Sequence, residues 1–156
     1  MGFTATGIST TTVTTTQQAP LGFILTVPDG DNGAQEWVYI YNDDAASLVE
    51  GTICTRDVLT ATYDAIVAPV NAPTIGVMGV AQQTIAAGSY GFILRKGIGE
   101  VLADTGGVTA ENALVVGNAV PGRADNVGAV TTHAFGYATE TKAATLLATC
   151  FINCPG

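Results

Sequence analysis

The chain has 156 residues, and its 13 acidic and 5 basic residues give a net charge of −8. A chain of this length forms one domain with a substantial core. The acidic balance argues against binding to nucleic acid or to an anionic membrane surface, since both require clustered Lys and Arg. The sequence contains no run of 18 or more apolar residues, so no transmembrane helix is predicted. The N-terminal residues contain no basic residue before an apolar run, so no signal peptide is predicted.

Residues 1–19 form a Thr-rich, low-complexity segment with apolar residues only at intervals, including Phe3, Ile8 and Val13. Such a segment cannot build a core alone. Two interpretations remain open: a flexible tail, or an extended arm laid along a neighbouring subunit, with these three side chains among its contacts. The sequence therefore predicts an N-terminal arm over 1–19 and a single β domain over 20–156.

The first strand of that domain is predicted at Leu21–Val27, and the turn-forming residues of Pro28–Gly33 follow it. This turn resembles the opening of a calcium loop. The twelfth position from Asp29 is Ile40, however, where such a loop needs a bidentate Glu. A plain turn is the preferred interpretation, with a metal site as the alternative.

The segment Glu36–Tyr41 predicts a strand with two apolar or amphipathic faces. Trp37, Tyr39 and Tyr41 share one face because side chains alternate along a strand. One interpretation is a central strand of a sandwich or barrel. The other places the aromatic face against a partner subunit, since Tyr and Trp favour interfaces.

The middle of the chain continues as strands and turns. A turn into a strand is predicted at Leu48–Cys54, weak alternation follows in residues 57–68, and Pro69 and Pro73 indicate a loop. Ile75–Asp104 then predicts three short strands joined by glycine turns, with a bend or bulge around Gly97 and Gly99.

The sequence also contains a weak internal repeat with a period near 60 residues. Residues 78–84 match 135–141, the strand at 90–94 corresponds to 147–151, and residues 49–54 loosely match 110–115. Further strands are predicted at 113–116, 135–138 and 144–152. The predicted fold is therefore all-β: a compact barrel or sandwich of about eight to ten short strands, with two similar β-units and an extended Thr-rich arm.

No catalytic signature is found. His133 is the only histidine, and Ser89 lacks the Gly-x-Ser-x-Gly pattern of a nucleophile elbow. The cysteines are Cys54, Cys150 and Cys154; a metal site with His133 is the less favoured reading, and buried free thiols are the expected one. An odd cysteine count and the spacing of the last two favour synthesis in a reducing cytoplasm. No metal, no cofactor and no enzymatic activity are expected.

One resemblance follows from short glycine-containing segments and strand cores. They are Gly79–Ala81, Ile85–Phe92, Arg95–Gly97, Ala113–Val116, Pro121–Ala124 and Phe135–Ala138. Over roughly residues 35 to 154 the chain resembles the small decoration (cement) proteins of tailed-phage heads. The resemblance implies a β-rich virion protein, made in the host cytoplasm, that binds the major capsid protein on the outer surface of the assembled shell. It also implies a homotrimer that clamps neighbouring shell subunits.

On that resemblance, subunit or capsid contacts are expected from the arm, from Trp37, Tyr39 and Tyr41, and from the bases Arg95, Lys96 and Arg123. The competing hypothesis is a carbohydrate- or receptor-binding β-module of a phage tail or adhesion apparatus, whose aromatic side chains would stack on sugar rings. A third option is an enzyme subunit or secreted hydrolase.

Overall fold

The computed structural model describes residues 8–59, 61–127 and 134–155. Within these ranges the chain is almost entirely β, as the sequence predicted, and one short 3-10 helix at Thr74–Gly76 interrupts the strands. The strands are β1 Ile24–Gly30, β2 Gly33–Asn42, β3 Ile53–Arg56, β4 Asp64–Val67, β5 Val77–Val80, β6 Tyr90–Leu102, β7 Ala113–Val116, β8 Ala124–Val127, β9 Gly136–Ala138 and β10 Leu147–Asn153. None of the described helical residues forms a segment long and apolar enough to cross a bilayer.

All ten of these strands belong to one sheet, in the order β1-β2-β4-β3-β5-β6-β10-β9-β7-β8. The sheet curls into a barrel because β2 pairs both with β4, in parallel, and with β6, antiparallel. The strands β2, β4, β3, β5 and β6 therefore form a closed ring of pairings. β1 adds to the edge of β2 through a hairpin whose turn is Asp31 and Asn32, narrower than the predicted turn.

A second ring is built on the far side of β6. It runs from β6 through β10, β9 and β7 to β8. A parallel bridge between Ala103, just after β6, and Ala124, at the start of β8, brings its ends together. β6 thus serves both rings: residues 90–96 pair with β2, and residues 96–102 pair with β10.

This double use of β6 corrects one detail of the sequence analysis. Residues 90–102 were predicted to turn back at the glycines, but they form one continuous strand of 13 residues. The strand changes partners at Lys96, and Gly97 has a φ of +121°, which favours glycine. A Cβ at Gly97 would also lie 2.9 Å from the Ala34 carbonyl oxygen. The predicted bend is therefore present, as a change of partner within a strand.

The predicted pair of similar β-units is confirmed by the hydrogen bonding. We call residues 48–94, up to the first half of β6, the first repeat, and residues 108–153, up to the end of β10, the second repeat. Leu48 bridges Ile85 in the first repeat just as Val108 bridges Lys142 in the second. Arg56 faces Ala65 across the β3–β4 pair, as Val116 faces Ala124 across the β7–β8 pair.

The structure shifts one part of the predicted alignment by a residue. Gly51 N donates to Ala81 O, and Glu111 N donates to Ala138 O, so Gly51 corresponds to Glu111. Both residues have positive φ, at +82° and +69°. The sequence match had instead paired Glu50 with Glu111, because identical letters outweighed backbone conformation.

Two apolar clusters form the core. The smaller one takes residues from all five strands of the first ring and therefore fills its interior; its members are Val38, Ile40, Leu48, Cys54, Ala65, Met78, Ala81, Ile85 and Ile93. The larger one joins the opposite face of β2 and β6, through Tyr39 and Phe92, to the second ring, through Leu114 and Ile152. The two rings are consequently packed as one body.

Candidate interaction surface

The aromatic strand that was predicted as a contact, Glu36–Tyr41, lies in the interior of the fold. Trp37 and Tyr39 are 8% and 1% exposed, and Tyr39 packs on Phe92 with ring centroids 5.0 Å apart. Tyr41 is half-buried and packs on Tyr90 at 4.9 Å. The interpretation as a central barrel strand is therefore confirmed, and the rings of Trp37 and Tyr39 are covered by this chain's own side chains.

The described part of the arm, residues 8–19, lies along the same chain. Thr14 and Tyr90 exchange two backbone hydrogen bonds of 3.1 and 2.8 Å, and the Gln18 N–H donates to the Tyr39 hydroxyl at 3.0 Å. Ile8 packs on the larger apolar cluster and Val13 on the smaller one. Phe3 lies outside the described residues. The Thr-rich segment thus supplies an added strand-like edge to β6.

The three predicted basic contacts lie in two different places. Arg95 and Lys96 are adjacent on β6 and project to opposite faces. Arg95 forms a half-exposed ion pair with Glu36 at 3.2 Å, whereas Lys96 is exposed. Arg123 belongs to the loop between β7 and β8, in the second repeat. Two of the predicted basic contacts therefore lie together on β6, and the third lies apart in the second repeat.

Among the described residues, the most exposed large apolar side chains lie elsewhere, at the connection between β3 and β4. Val58 and Leu59 are 88% and 89% exposed, and Ile75 and Val70 in the following loop are 68% and 40% exposed. We call Asp57, Val58 and Leu59 the hairpin tip. Contiguous apolar surface of this kind marks interaction sites in soluble proteins.

Local contacts hold the hairpin tip in place. Asp57 Oδ1 accepts a hydrogen bond of 2.8 Å from the Leu59 N–H, which fixes the turn. At the base of the hairpin, the Arg56 guanidinium lies over the Tyr63 ring at 4.8 Å and donates to the Thr62 carbonyl. The two exposed side chains therefore lie beside a hydrogen bond that joins Asp57 to Leu59.

An apolar groove adjoins the hairpin tip. It encloses about 490 Å³ between the tip and the loop that carries Pro69, Pro73 and Ile75, with Ile66 among its lining residues. The two prolines prevent the loop from joining the sheet, as the sequence predicted, and Pro73 precedes the short 3-10 helix. Tip and groove together form one apolar surface on the first repeat.

The cysteines are free and buried, as predicted. Burial raises the pKa of the Cys54 and Cys150 thiols to about 12 and also raises the pKa of Cys154. They are therefore neutral and weakly nucleophilic near pH 7. Across residues 8–59, 61–127 and 134–155, no three His, Cys, Asp or Glu side chains are grouped as metal ligands would be. His133 lies outside these ranges.

The hairpin tip was missed by the sequence analysis for a definite reason. Val58 and Leu59 were read as part of a weakly alternating segment, and two adjacent apolar residues carry no signal of exposure. The only local hint is Asp57, whose side chain can cap a turn two residues ahead.

Comparison with known proteins places the fold. No protein-family model matches the chain, and no curated protein matches it. Among solved structures, the chain is similar to the N base of the head fiber gp8.5 of bacteriophage phi29, with a TM-score of 0.55 and 17% identity. The match covers 75% of this chain and 94% of that one. At this identity the likeness establishes a shared fold.

Proposed function

We propose that the chain is a virion structural protein of a tailed phage that binds the outer surface of the assembled capsid and clamps neighbouring shell subunits. The observation that carries the proposal is the fold shared with the base of a phage head fiber, over nearly all of that base. The segments that resemble cement proteins lie on the strands and turns of both repeats.

The physical basis would be many modest contacts repeated by the symmetry of the shell. A ligand that binds only the assembled shell stabilises it by mass action. A homotrimer binds more tightly still, because the second and third contacts of one trimer are intramolecular. A low fraction of charged residues, 12%, leaves much of the protein surface neutral and suited to being covered by neighbours.

The contact residues proposed for this role are those that the chain leaves accessible. They include Tyr41, Arg95, Lys96 and Arg123 from the sequence-based set, and the apolar hairpin tip from the structure. The arm, with Ile8 and Val13, would contribute through the edge that it adds to β6. The role requires no cofactor, no nucleic acid, no membrane and no catalysis.

Co-sedimentation with isolated heads tests the proposal. The purified chain is mixed with heads of the phage that encodes it, stripped of the protein, and separately with unassembled capsid subunits. We expect the chain to pellet with the heads and to remain in the supernatant with free subunits. Bound heads should also release their DNA at a higher temperature than stripped heads, as linkage requires.

The competing outcome is carbohydrate or receptor recognition. Binding to a glycan array together with no pelleting on heads would overturn the proposal in favour of an adhesion module. Turnover in a hydrolase screen would favour an enzyme instead. Lys96→Glu is an informative variant, because it inverts an exposed charge on β6 and should weaken pelleting while leaving the fold intact.

A further inference from the structure

Asn32 differs from the other asparagines of the chain in the residue that follows it. Seven asparagines occur in the sequence, and Asn32 is the one followed by glycine. The side-chain amide of an asparagine can be attacked at Cγ by the backbone nitrogen of the next residue. Glycine favours this attack, because it has no Cβ to hinder the approach and its backbone can adopt the required conformation. Asn32 and Gly33 therefore combine a reactive amide with an unhindered nucleophile.

The structure places this pair in the exposed turn between β1 and β2. Asp31, Asn32 and Gly33 are all exposed, and a Cβ added to Gly33 would meet no atom within 4 Å. Gly33 has a φ of +75°, a left-handed conformation that glycine adopts without strain. Neither apolar cluster includes a residue of this turn. The amide of Asn32 is therefore open to solvent and is not packed against the core.

The backbone pairing next to this turn is separated from the rest of the hairpin. Gly30 pairs with Gly33, but the register shifts between Val27 and Gly30, so this pair is not continuous with the pair of Val27 and Gln35. The pair of glycines must open before Gly33 N can turn toward Asn32 Cγ. Opening at the end of an element costs less free energy than opening within a packed core strand. The fold therefore permits the approach that the chemistry requires.

The other asparagines provide a contrast within the same chain. Asn42 is 0% exposed, and its Nδ2 donates hydrogen bonds of 3.0 and 2.9 Å to two backbone carbonyls. Asn126 is held through both atoms of its amide, at 3.3 and 2.9 Å. Asn118 is exposed, as Asn32 is, but it precedes Ala119. Exposure and a following glycine therefore coincide at Asn32.

We propose that Asn32 is a site of spontaneous deamidation. Gly33 N gives up its proton and attacks Asn32 Cγ; the Cγ–Nδ2 bond breaks, and the amide nitrogen takes up a proton and leaves as ammonia. Water then opens the resulting succinimide ring. Attack at Cγ gives aspartate, whereas attack at the backbone carbonyl carbon gives isoaspartate, in which the main chain passes through Cβ and Cγ. The sequence of steps involves no oxidation or reduction.

The isoaspartate product should loosen β1. It adds one carbon to the main chain of a two-residue turn, and β1 is the terminal strand of the sheet order, paired among the described strands with β2 alone. Trp37, the only tryptophan, lies opposite Leu25 of β1 and is 8% exposed. Weaker pairing of β1 with β2 would admit water to the Trp37 ring. This inference does not depend on the proposed function.

Ageing of the purified full chain tests the site. The protein is incubated at pH 9 and, in parallel, at pH 6, and peptide mapping by mass spectrometry follows every asparagine. Asn32 should lose its amide first, and faster at pH 9, because the attacking nitrogen must be deprotonated. Each event adds one negative charge to the net −8. Asn118 is the matched internal control, and deamidation of Asn32 no faster than that of Asn118 overturns the proposal.

Two variants test the site and its effect on β1. Asn32→Gln should remove the more acidic form, because ring closure from the longer side chain is less favourable; its accumulation at the wild-type rate would place the reaction elsewhere and overturn the site. Asn32→Asp carries the charge of the products without the extra main-chain carbon.

The isoaspartate form, separated by chromatography, is compared with Asn32→Asp by tryptophan fluorescence. The emission of Trp37 should shift to longer wavelength in the isoaspartate form and stay at the wild-type wavelength in Asn32→Asp. The same emission in both would overturn the effect on β1. All of these measurements use pure protein, so failure to bind heads is a separate result.

Discussion

In the two repeats the same backbone bridge is filled by different side chains. Leu48 and Ile85 close the first repeat and are both fully buried, within the smaller apolar cluster. Val108 and Lys142 close the second, and only Val108 is buried. In the first ring this bridge therefore consists of two buried apolar side chains. In the second ring a half-buried lysine occupies the position of Ile85.

Both repeats have glycine, however, at the position where a neighbouring backbone leaves no room for a Cβ atom. A Cβ on Gly79 would lie 2.7 Å from the Leu94 carbonyl oxygen, and one on Gly136 would lie 2.2 Å from the Phe151 carbonyl oxygen. Where only a positive φ is required, the repeats diverge: Gly88 in the first corresponds to Thr145 in the second. The close backbone contact at Gly79 and Gly136 thus demands glycine in both repeats, while the left-handed conformation at position 145 does not.

The largest expected effect is that of Gly136→Ala. The added methyl group would meet a carbonyl oxygen held in the sheet, so we expect a loss of about 3 kcal/mol in the free energy of unfolding. Gly79→Ala should lose slightly less, because its contact is longer. Urea unfolding measures both, with Gly76→Ala as the control, since its Cβ would meet nothing within 4 Å. A Gly136→Ala protein as stable as the wild type would show that β9 and β10 are not packed as described.

Truncation of one side chain at each bridge should destabilise the protein by different amounts in the two repeats. Ile85→Ala removes a fully buried side chain, and we expect it to destabilise the protein by about 3 kcal/mol. Lys142→Ala alters the corresponding position in the second repeat and should change stability by about 0.5 kcal/mol or less. Thermal unfolding of both variants checks the difference. Equal losses would mean that Lys142 contributes to the second core as Ile85 does to the first.

Fold class and the existence of two units were predictable because strand patterns and the 78–84 and 135–141 match are local. The course of β6 was not, since no local signal tells whether a glycine turns a chain back or lets one strand exchange partners. That exchange at Lys96 depends on β2 and β10, which lie 50 or more residues away along the chain. The aromatic face of β2 was predicted correctly, yet its covering by the first repeat and the arm depends on tertiary packing.

A swap at the residues that precede β6 and β10 tests the left-handed positions. Gly88 and Thr145 occupy corresponding places, with φ of +70° and +64°. A branched side chain is strained in this conformation, so Thr145→Gly should stabilise the protein by about 1 kcal/mol, and Gly88→Ala should destabilise it by about as much. A Cβ at Gly88 meets only the Tyr41 hydroxyl, at 3.8 Å, so sterics elsewhere do not confuse the result. Chemical denaturation of the pair gives the two signs, and equal signs would reject the correspondence.

The smallest expected effect concerns position 140, which corresponds to Gln83. In the first repeat Gln83 Nε2 donates to the Thr10 carbonyl of the arm at 2.7 Å, whereas in the second Glu140 Oε1 accepts from the Thr149 N–H and hydroxyl at 2.8 and 2.9 Å. These hydrogen bonds, with a lesser contribution from Lys142, hold the pKa of Glu140 below its ordinary value of 4.5. A lowered pKa means that the carboxylate stabilises the fold fully above pH 4.5, and that this contribution is lost as the pH falls through the folded-state pKa.

Glu140→Gln should therefore lower the melting temperature slightly at pH 7 and have less effect at pH 3, where the wild-type carboxyl is closer to neutral. Gln83→Glu is the reciprocal change: its carboxylate can no longer donate to Thr10, so it should weaken the contact between the arm and the first repeat. Melting curves across this pH range compare the two variants with the wild type. If the change in melting temperature caused by Glu140→Gln were the same at pH 7 and pH 3, the Thr149 hydrogen bonds would stabilise the fold without a contribution from the carboxylate charge. Position 140 would then act as position 83 does, through the hydrogen bonds of a neutral side chain.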